Sequence, residues 1–212
     1  MEHTFDRTYW DEIWQGDRAH AMGTSRPHPH LVQEIGDLMP GTALDAGCGA
    51  GSEVIWLASR GWQVTGADIA VAALDRAGER AAEAGVADRV RWVEADLSTW
   101  EPDTRFDLVT THYAHPAMPQ LDFYDRAASW VAPGGTLLIV GHLHHDDGVH
   151  GTGHDPDGPP PAASATAATI TARLDPTDWD VVTAEESHRT VSGPGDHEMA
   201  VHDVVVRATR RG

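Results

Sequence analysis

Cysteine is nearly missing from this sequence: Cys48 is the only one in 212 residues. No disulfide can close within the chain, which excludes a cross-linked secreted scaffold. Cationic side chains are scarce too, 15 against 33 acids, giving a formal net charge of −18. Gathering phosphates or anionic lipid takes clustered positive charge, so neither nucleic acid nor a membrane surface is an expected partner, and a small molecule is. The acidity reads as solvation of the surface, with steering of a cationic ligand as the alternative. No stretch approaches the roughly 18 consecutive apolar residues that a spanning helix needs, and residues 1–7 hold no apolar run of the signal-peptide kind. A cytoplasmic location is the expectation. What remains is ordinary globular stock, 41% hydrophobic and 23% charged, enough for one core at this length.

A single domain over 1–212 is therefore expected, in four parts. The first, 1–40, is a helical cover: residues 4–16 set Phe5, Tyr9, Trp10, Ile13 and Trp14 at helical spacing, and after a polar link at 26–30 a second helix runs over 31–38 until Pro40-Gly41 ends it. In the second, 41–140, short apolar runs at 43–46, 63–67, 90–94, 108–111 and 136–140 are separated by stretches of helical character at 53–60, 71–84 and 122–131. Alternation of this kind implies parallel strands joined by right-handed crossovers, an α/β doubly wound fold. The third, 141–163, packs His142, His144, His145, His150 and His154 among glycines, aspartates and prolines and reads as a long flexible loop. The fourth, 164–212, offers a helix at 166–174 and two strands, 179–185 and 201–208, that would finish the sheet as a hairpin.

The chemistry is concentrated in Leu44-Asp45-Ala46-Gly47-Cys48-Gly49-Ala50-Gly51-Ser52, a strand that turns through three glycines into a helix. Glycine permits positive φ and close approach of a ligand to the backbone. The carboxyl end of the first strand of an open α/β sheet is where ligands settle, and the loop and helix start are expected to expose unpaired N–H groups there. Asp68 closes the next strand, about 20 residues on, where an acid can accept from both hydroxyls of a ribose. Asp96, after the third strand, offers a carboxylate to an adenine amino group, with a turn cap as its plainer reading. Asp107 reads as a structural residue at the start of its strand. The fourth strand runs through Thr111 toward His112 and Tyr113.

The order Asp45 to Gly51, Asp68, Ala95-Asp96-Leu97, Phe106-Asp107-Leu108-Val109 and Ala132-Pro133-Gly134-Gly135-Thr136-Leu137 resembles the class I S-adenosylmethionine-dependent methyltransferases, over about 44–140. The aromatic segment from Tyr9 to Trp14 and Ile55-Trp56-Leu57-Ala58 are similar to the branch that holds the tellurite-resistance and thiopurine methyltransferases. The resemblance implies a Rossmann-like three-layer αβα sandwich, with a seven-stranded, mostly parallel sheet ending in an antiparallel hairpin. It implies S-adenosylmethionine as cofactor, with Asp45, Gly47 and Thr111 beside its methionine part, Asp68 facing the ribose, and Asp96 and Leu97 the adenine. Cys48, Gly49, Gly51 and Ile69 complete the expected cofactor-binding set. A nicotinamide dehydrogenase also uses a glycine loop and an acid ending its second strand, but its third glycine falls where this chain has Ser52.

The implied reaction is direct transfer of a methyl group to a small-molecule nucleophile, which demands alignment and exclusion of water. A thiolate, selenide, telluride or halide acceptor needs no base. A hydroxyl or amine is helped by one, and His112, Tyr113 and His115 are the candidates on the acceptor side. Trp10 and Trp14, four apart on one helix face, either pack on the sheet or cover the cofactor, whose sulfonium an aromatic face attracts. The histidines of 142–154 together with Asp146 and Asp147 read as a polar lid more than as a metal site, since their spacing is not distinctive. A non-catalytic protein that binds the same cofactor or a metal on this fold is the alternative of a different class.

Overall fold

The computed structural model describes residues 5–15, 26–143, 165–192 and 198–212. Helices α1 (Arg7–Gln15) and α2 (Pro29–Ile35) precede the alternating core: β1 (Thr42–Ala46), α3 (Ser52–Ser59), β2 (Gln63–Asp68), α4 (Val71–Glu83), β3 (Val90–Glu94), β4 (Phe106–His112), α5 (Gln120–Ser129) and β5 (Val131–His142). Then come α6 (Ala167–Thr171), β6 (Trp179–Ser192) and β7 (Glu198–Arg210). The seven strands form one sheet in the order β3-β2-β1-β4-β5-β7-β6. The first five are parallel, and β7 runs antiparallel to both β5 and β6. This is the expected mostly parallel sheet with a closing hairpin.

Side-chain alternation along the strands builds two apolar layers. On one face Leu44, Val109, Leu137 and Ile139 meet Phe123 and Ala127 of α5 and Ile170 of α6. On the other, Ala43, Val64, Leu108 and Leu138 meet Leu31 and Ile35 of α2, Val54 and Leu57 of α3 and Leu74 of α4. Helices on both faces make the sandwich three layers deep. The segment 144–164, which carries most of the histidine-rich loop, lies outside the described residues. Among the described residues no helix is long and apolar enough to cross a membrane.

Two boundaries depart from the sequence expectation for local reasons. Helix α2 begins inside the expected polar link, because His28 caps it, its side chain accepting from the His30 N–H, and Pro29 occupies the first helical position. Strand β5 begins at Val131 and not 136. Its pairing with β4 shifts register between Phe106 and Leu108, and Gly134 there has φ +79°, an irregularity that breaks period-2 patterning. Asp107 Oδ2 accepts from both the backbone N–H and the hydroxyl of Thr42, each at 2.8 Å, tying the starts of β4 and β1 as its structural reading requires.

Candidate active site

The carboxyl ends of β1, β2, β3 and β4 open onto one cavity of about 440 Å³. From the glycine loop come Gly47, Cys48 and Gly49; from beyond β2, Asp68 and Ile69; from beyond β3, Asp96 and Leu97. His112, Tyr113 and His115 arrive from β4 and its loop, and Trp10 and Trp14 from α1. Twelve of the expected site residues thus share one space. Asp45, Gly51 and Thr111 do not line it.

Thr111 is 1% exposed and its hydroxyl has no partner among the described residues. It alternates with Thr110 and His112 on β4 and so points into the layer under α5, away from the cavity. Asp45 is likewise buried, one residue too early on β1 to reach the loop, and its Oδ1 lies 3.6 Å from His112 Nδ1. Gly51 caps α3 with φ +76° and no side chain. A Cβ there would stand 2.6 Å from the Trp92 indole, so its role is close packing.

The loop's amides are occupied within the protein, contrary to the expectation of exposed N–H groups. Gly47 and Cys48 both donate to Ala67 O, at 2.8 and 3.1 Å, and Gly51 donates to Cys48 O at 2.9 Å. Gly49 donates to Asp68 Oδ2 at 2.8 Å, and Ala70 to Asp68 Oδ1 at 2.9 Å. Arg80 clamps the loop from α4 by donating to Ala50 O at 2.6 Å. The tight turn uses its own donors, and what it presents to the cavity is a floor without side chains. A Cβ on Gly47, where φ is +82°, would come within 2.3 Å of Ala114 Cβ.

Helix α1 forms the roof. Nine residues do not hold a helix alone in water, and this one is fixed by its contacts. Trp14, 3% exposed, packs with Ala50, Ala70 and Ala73, while Trp10 Nε1 donates to His115 O at 3.3 Å. Arg7 donates to Ile69 O at 3.0 Å and pairs with Glu94 at 2.6 Å. One short helix therefore touches the ends of β2, β3 and β4.

The far wall is a cluster of imidazoles that the sequence reading found only in part. His115 Nδ1 stands 3.0 Å from Gln120 Oε1, and the Gln120 amide donates to Ala114 O. Oε1 is then the acceptor, so Nδ1 carries the proton and the Nε2 lone pair has no partner among the described residues. Burial pushes the His115 pKa down, against the hydrogen bond to Gln120, keeping the ring neutral. Burial also works against charge on His112. The bond to Asp45 and the charges of Glu53 and Asp45 outweigh it and raise the pKa. His28 and Glu53 line the same cavity and were not singled out from the sequence; His142 lines it too, as the last residue of β5 and not as part of the expected loop. His28 Nε2 lies 3.0 Å from the Tyr113 hydroxyl, which donates to the fully buried Asp203 Oδ1 at 2.6 Å. The His142 ring stacks 5.4 Å from that of His115.

The acids on the cofactor side are shifted by burial. Burial raises the carboxyl of Asp68 against the amides that hold it, and burial raises that of Glu53 against the pull of His112. Burial pushes the Cys48 thiol well up too, so it stays protonated and unreactive. Asp96 caps its turn by accepting from Ser98 N and Oγ at 2.9 and 2.6 Å, both on Oδ1.

Residues 43–135 match the model of the methyltransferase domain family. The alternating core thus resembles a class I methyltransferase domain. The chain is 32% identical over 138 residues to "Probable thiol methyltransferase 2" of Arabidopsis thaliana, a match that covers 62% of this chain and 60% of that protein. It is 31% identical over 110 residues to "Thiocyanate methyltransferase 1" of Brassica oleracea, covering 51% and 49%. The chain thus spans about half the length of these curated relatives. In fold the chain resembles TehB from Haemophilus influenzae, with a TM-score of 0.71 at 15% identity, covering 95% of this chain and 67% of that one.

Proposed function

We propose that the protein transfers the methyl group of S-adenosylmethionine to a small-molecule nucleophile by direct in-line displacement. The observation that carries this reading is the convergence of the glycine loop, Asp68, Asp96-Leu97 and the α1 roof on one cavity, within the range of volumes typical for small-molecule sites. Bound there, the cofactor would supply an electrophilic methyl carbon on a positively charged sulfur. The residues present fit it. At Gly47 and Gly49 the backbone of the floor lies against Ala114 and Trp14 more closely than a Cβ would allow. Asp68 retains lone pairs beyond those given to Gly49 and Ala70, enough to accept from ribose hydroxyls. Asp96 Oδ2 would be left to accept from the adenine amino group beside Leu97. The carboxyls of Glu53 and Asp68, pushed up by burial, would gain from a ligand that brings a positive charge, and Trp10 and Trp14 offer it aromatic faces.

His112, Tyr113 and His115 line the acceptor side, and the roof excludes water. The sulfur-acting relatives make a small soft nucleophile the first acceptor class to try. The one cysteine is a buried thiol, in keeping with a reducing, cytoplasmic setting.

Calorimetric titration with S-adenosylmethionine and S-adenosylhomocysteine, alongside NADH, tests the reading. Micromolar affinity for both adenosyl compounds, none for NADH, and loss in Asp68→Ala are the expected results. Absence of adenosyl binding by the natural chain would sink the proposal, and binding without turnover across a panel of thiols, phenols and anions would reduce it to a non-catalytic binder.

A further inference from the structure

Two side-chain nitrogens in the cavity wall have no use in the reading so far. His112 Nε2 and His115 Nε2 are both shielded from solvent and have no partner among the described residues, yet both residues line the cavity. On His115 the other nitrogen is a fixed donor to Gln120, which leaves Nε2 as an acceptor. On His112 the other nitrogen faces Asp45 Oδ1 at 3.6 Å and Thr110 Oγ1 at 3.4 Å. A carboxylate on that side draws the ring proton to Nδ1, which again leaves a lone pair on Nε2. Asp45 Oδ1 has no other partner, and Asp45 does not reach the cavity. With both rings neutral, two buried acceptor nitrogens on residues that line one cavity are complementary to a ligand that brings hydrogens. A halide or thiocyanate ion brings none and would leave both unsatisfied.

We propose that the methyl acceptor carries its own proton, as an S–H or O–H group, and that His112 Nε2 takes that proton while Asp45 holds the ring in position. The inference rests on the methyl-transfer reading above. As the acceptor sulfur or oxygen forms its bond to the methyl carbon, the bond from that carbon to the sulfonium breaks and its electron pair stays on the departing sulfur. The acceptor's proton passes to His112, and the imidazolium so formed lies opposite Asp45. Around His112 stand Asp45 from β1, Glu53 from α3 and His28 from the residue before α2, whose ring is 5.9 Å away; Tyr113 and His142 lie beyond. The two acids stabilise the charged ring, so His112 is placed to accept a proton near neutral pH, where a thiol is close to releasing one.

The first test needs no acceptor. In ¹⁵N NMR of the full chain with S-adenosylhomocysteine, the neutral His112 ring should carry its proton on Nδ1, and Asp45→Asn should lower its titration midpoint by about one pH unit. The second is kinetic, with benzenethiol, phenol, iodide and thiocyanate as probes. Expected are methylation of a protic probe and a fall of about 100-fold in kcat/KM on His112→Gln, with S-adenosylhomocysteine affinity held within threefold. Asp45→Asn should move the acid limb of the pH–rate profile to lower pH with KM little changed. A proton on Nε2, full activity in His112→Gln, or turnover of the anions alone would overturn the inference and leave cofactor binding standing. Failure of the natural chain to bind S-adenosylhomocysteine would overturn both.

Discussion

Gly47 combines a φ of +82° with a neighbour 2.3 Å from where its Cβ would be, so Gly47→Ala meets two penalties at once. The left-handed backbone alone costs about 1–2 kcal/mol for an L residue, and the contact with Ala114 adds to it. A fall in melting temperature of several degrees, with loss of adenosyl binding, is the expected result of thermal denaturation and titration of the variant. Tyr113 is also strained, a non-glycine residue on the cavity at φ 54°, of the kind that tertiary contacts must enforce. Its hydroxyl supplies such a contact, at 2.6 Å from a fully buried carboxylate. Tyr113→Phe should cost about 1–3 kcal/mol in urea denaturation. The glycine loop, Asp68 and Asp96 could be read from the sequence because their spacing is local. His28 could not, since it meets Tyr113 across 85 residues. Asp45 was legible as a motif residue, but its partner depended on which face of β1 it takes, and only the packing of β4 alongside settles that.

Among the elements, α1 is the one whose existence rests on the site. Its apolar spacing was visible over 4–16, and the helix described is Arg7–Gln15. Trp14→Ala removes the side chain that seats it over Ala50, Ala70 and Ala73. We expect adenosyl affinity to drop about tenfold, roughly the worth of one lost cation–aromatic contact, while the far-UV circular dichroism of the core is retained. An unchanged affinity would show that the roof takes no part in binding. The parallel strands were legible because a strand buried on both faces reads as a short apolar run. The true starts of β5 and α2 were not, because a bulge and a proline-led cap look like loop in one dimension.

For the whole molecule, charge governs stability. His112 has a raised pKa when folded, so its contribution is fully present below the ordinary histidine value and fades as pH climbs through the folded one. Glu53 and Asp68, also raised, likewise favour the folded state on acidification, in a window beginning at the ordinary carboxyl range. His115, held down by burial, works the other way, but only below the ordinary histidine value. With a net charge of −18 repelling itself, the melting temperature should rise as pH falls from about 8 to 6.5 and, at pH 8, with added salt; a differential scanning series in both variables checks the pair. The order of the sheet carries one more consequence. The last strand in chain order, β7, lies between β5 and β6, so while the chain is being synthesised β6 has no seat and β5 keeps an open edge until residues 198–210 emerge. An interrupted or slowed final stretch would leave a long unpaired strand able to join another nascent copy, and the step most exposed to aggregation is therefore the last one of assembly.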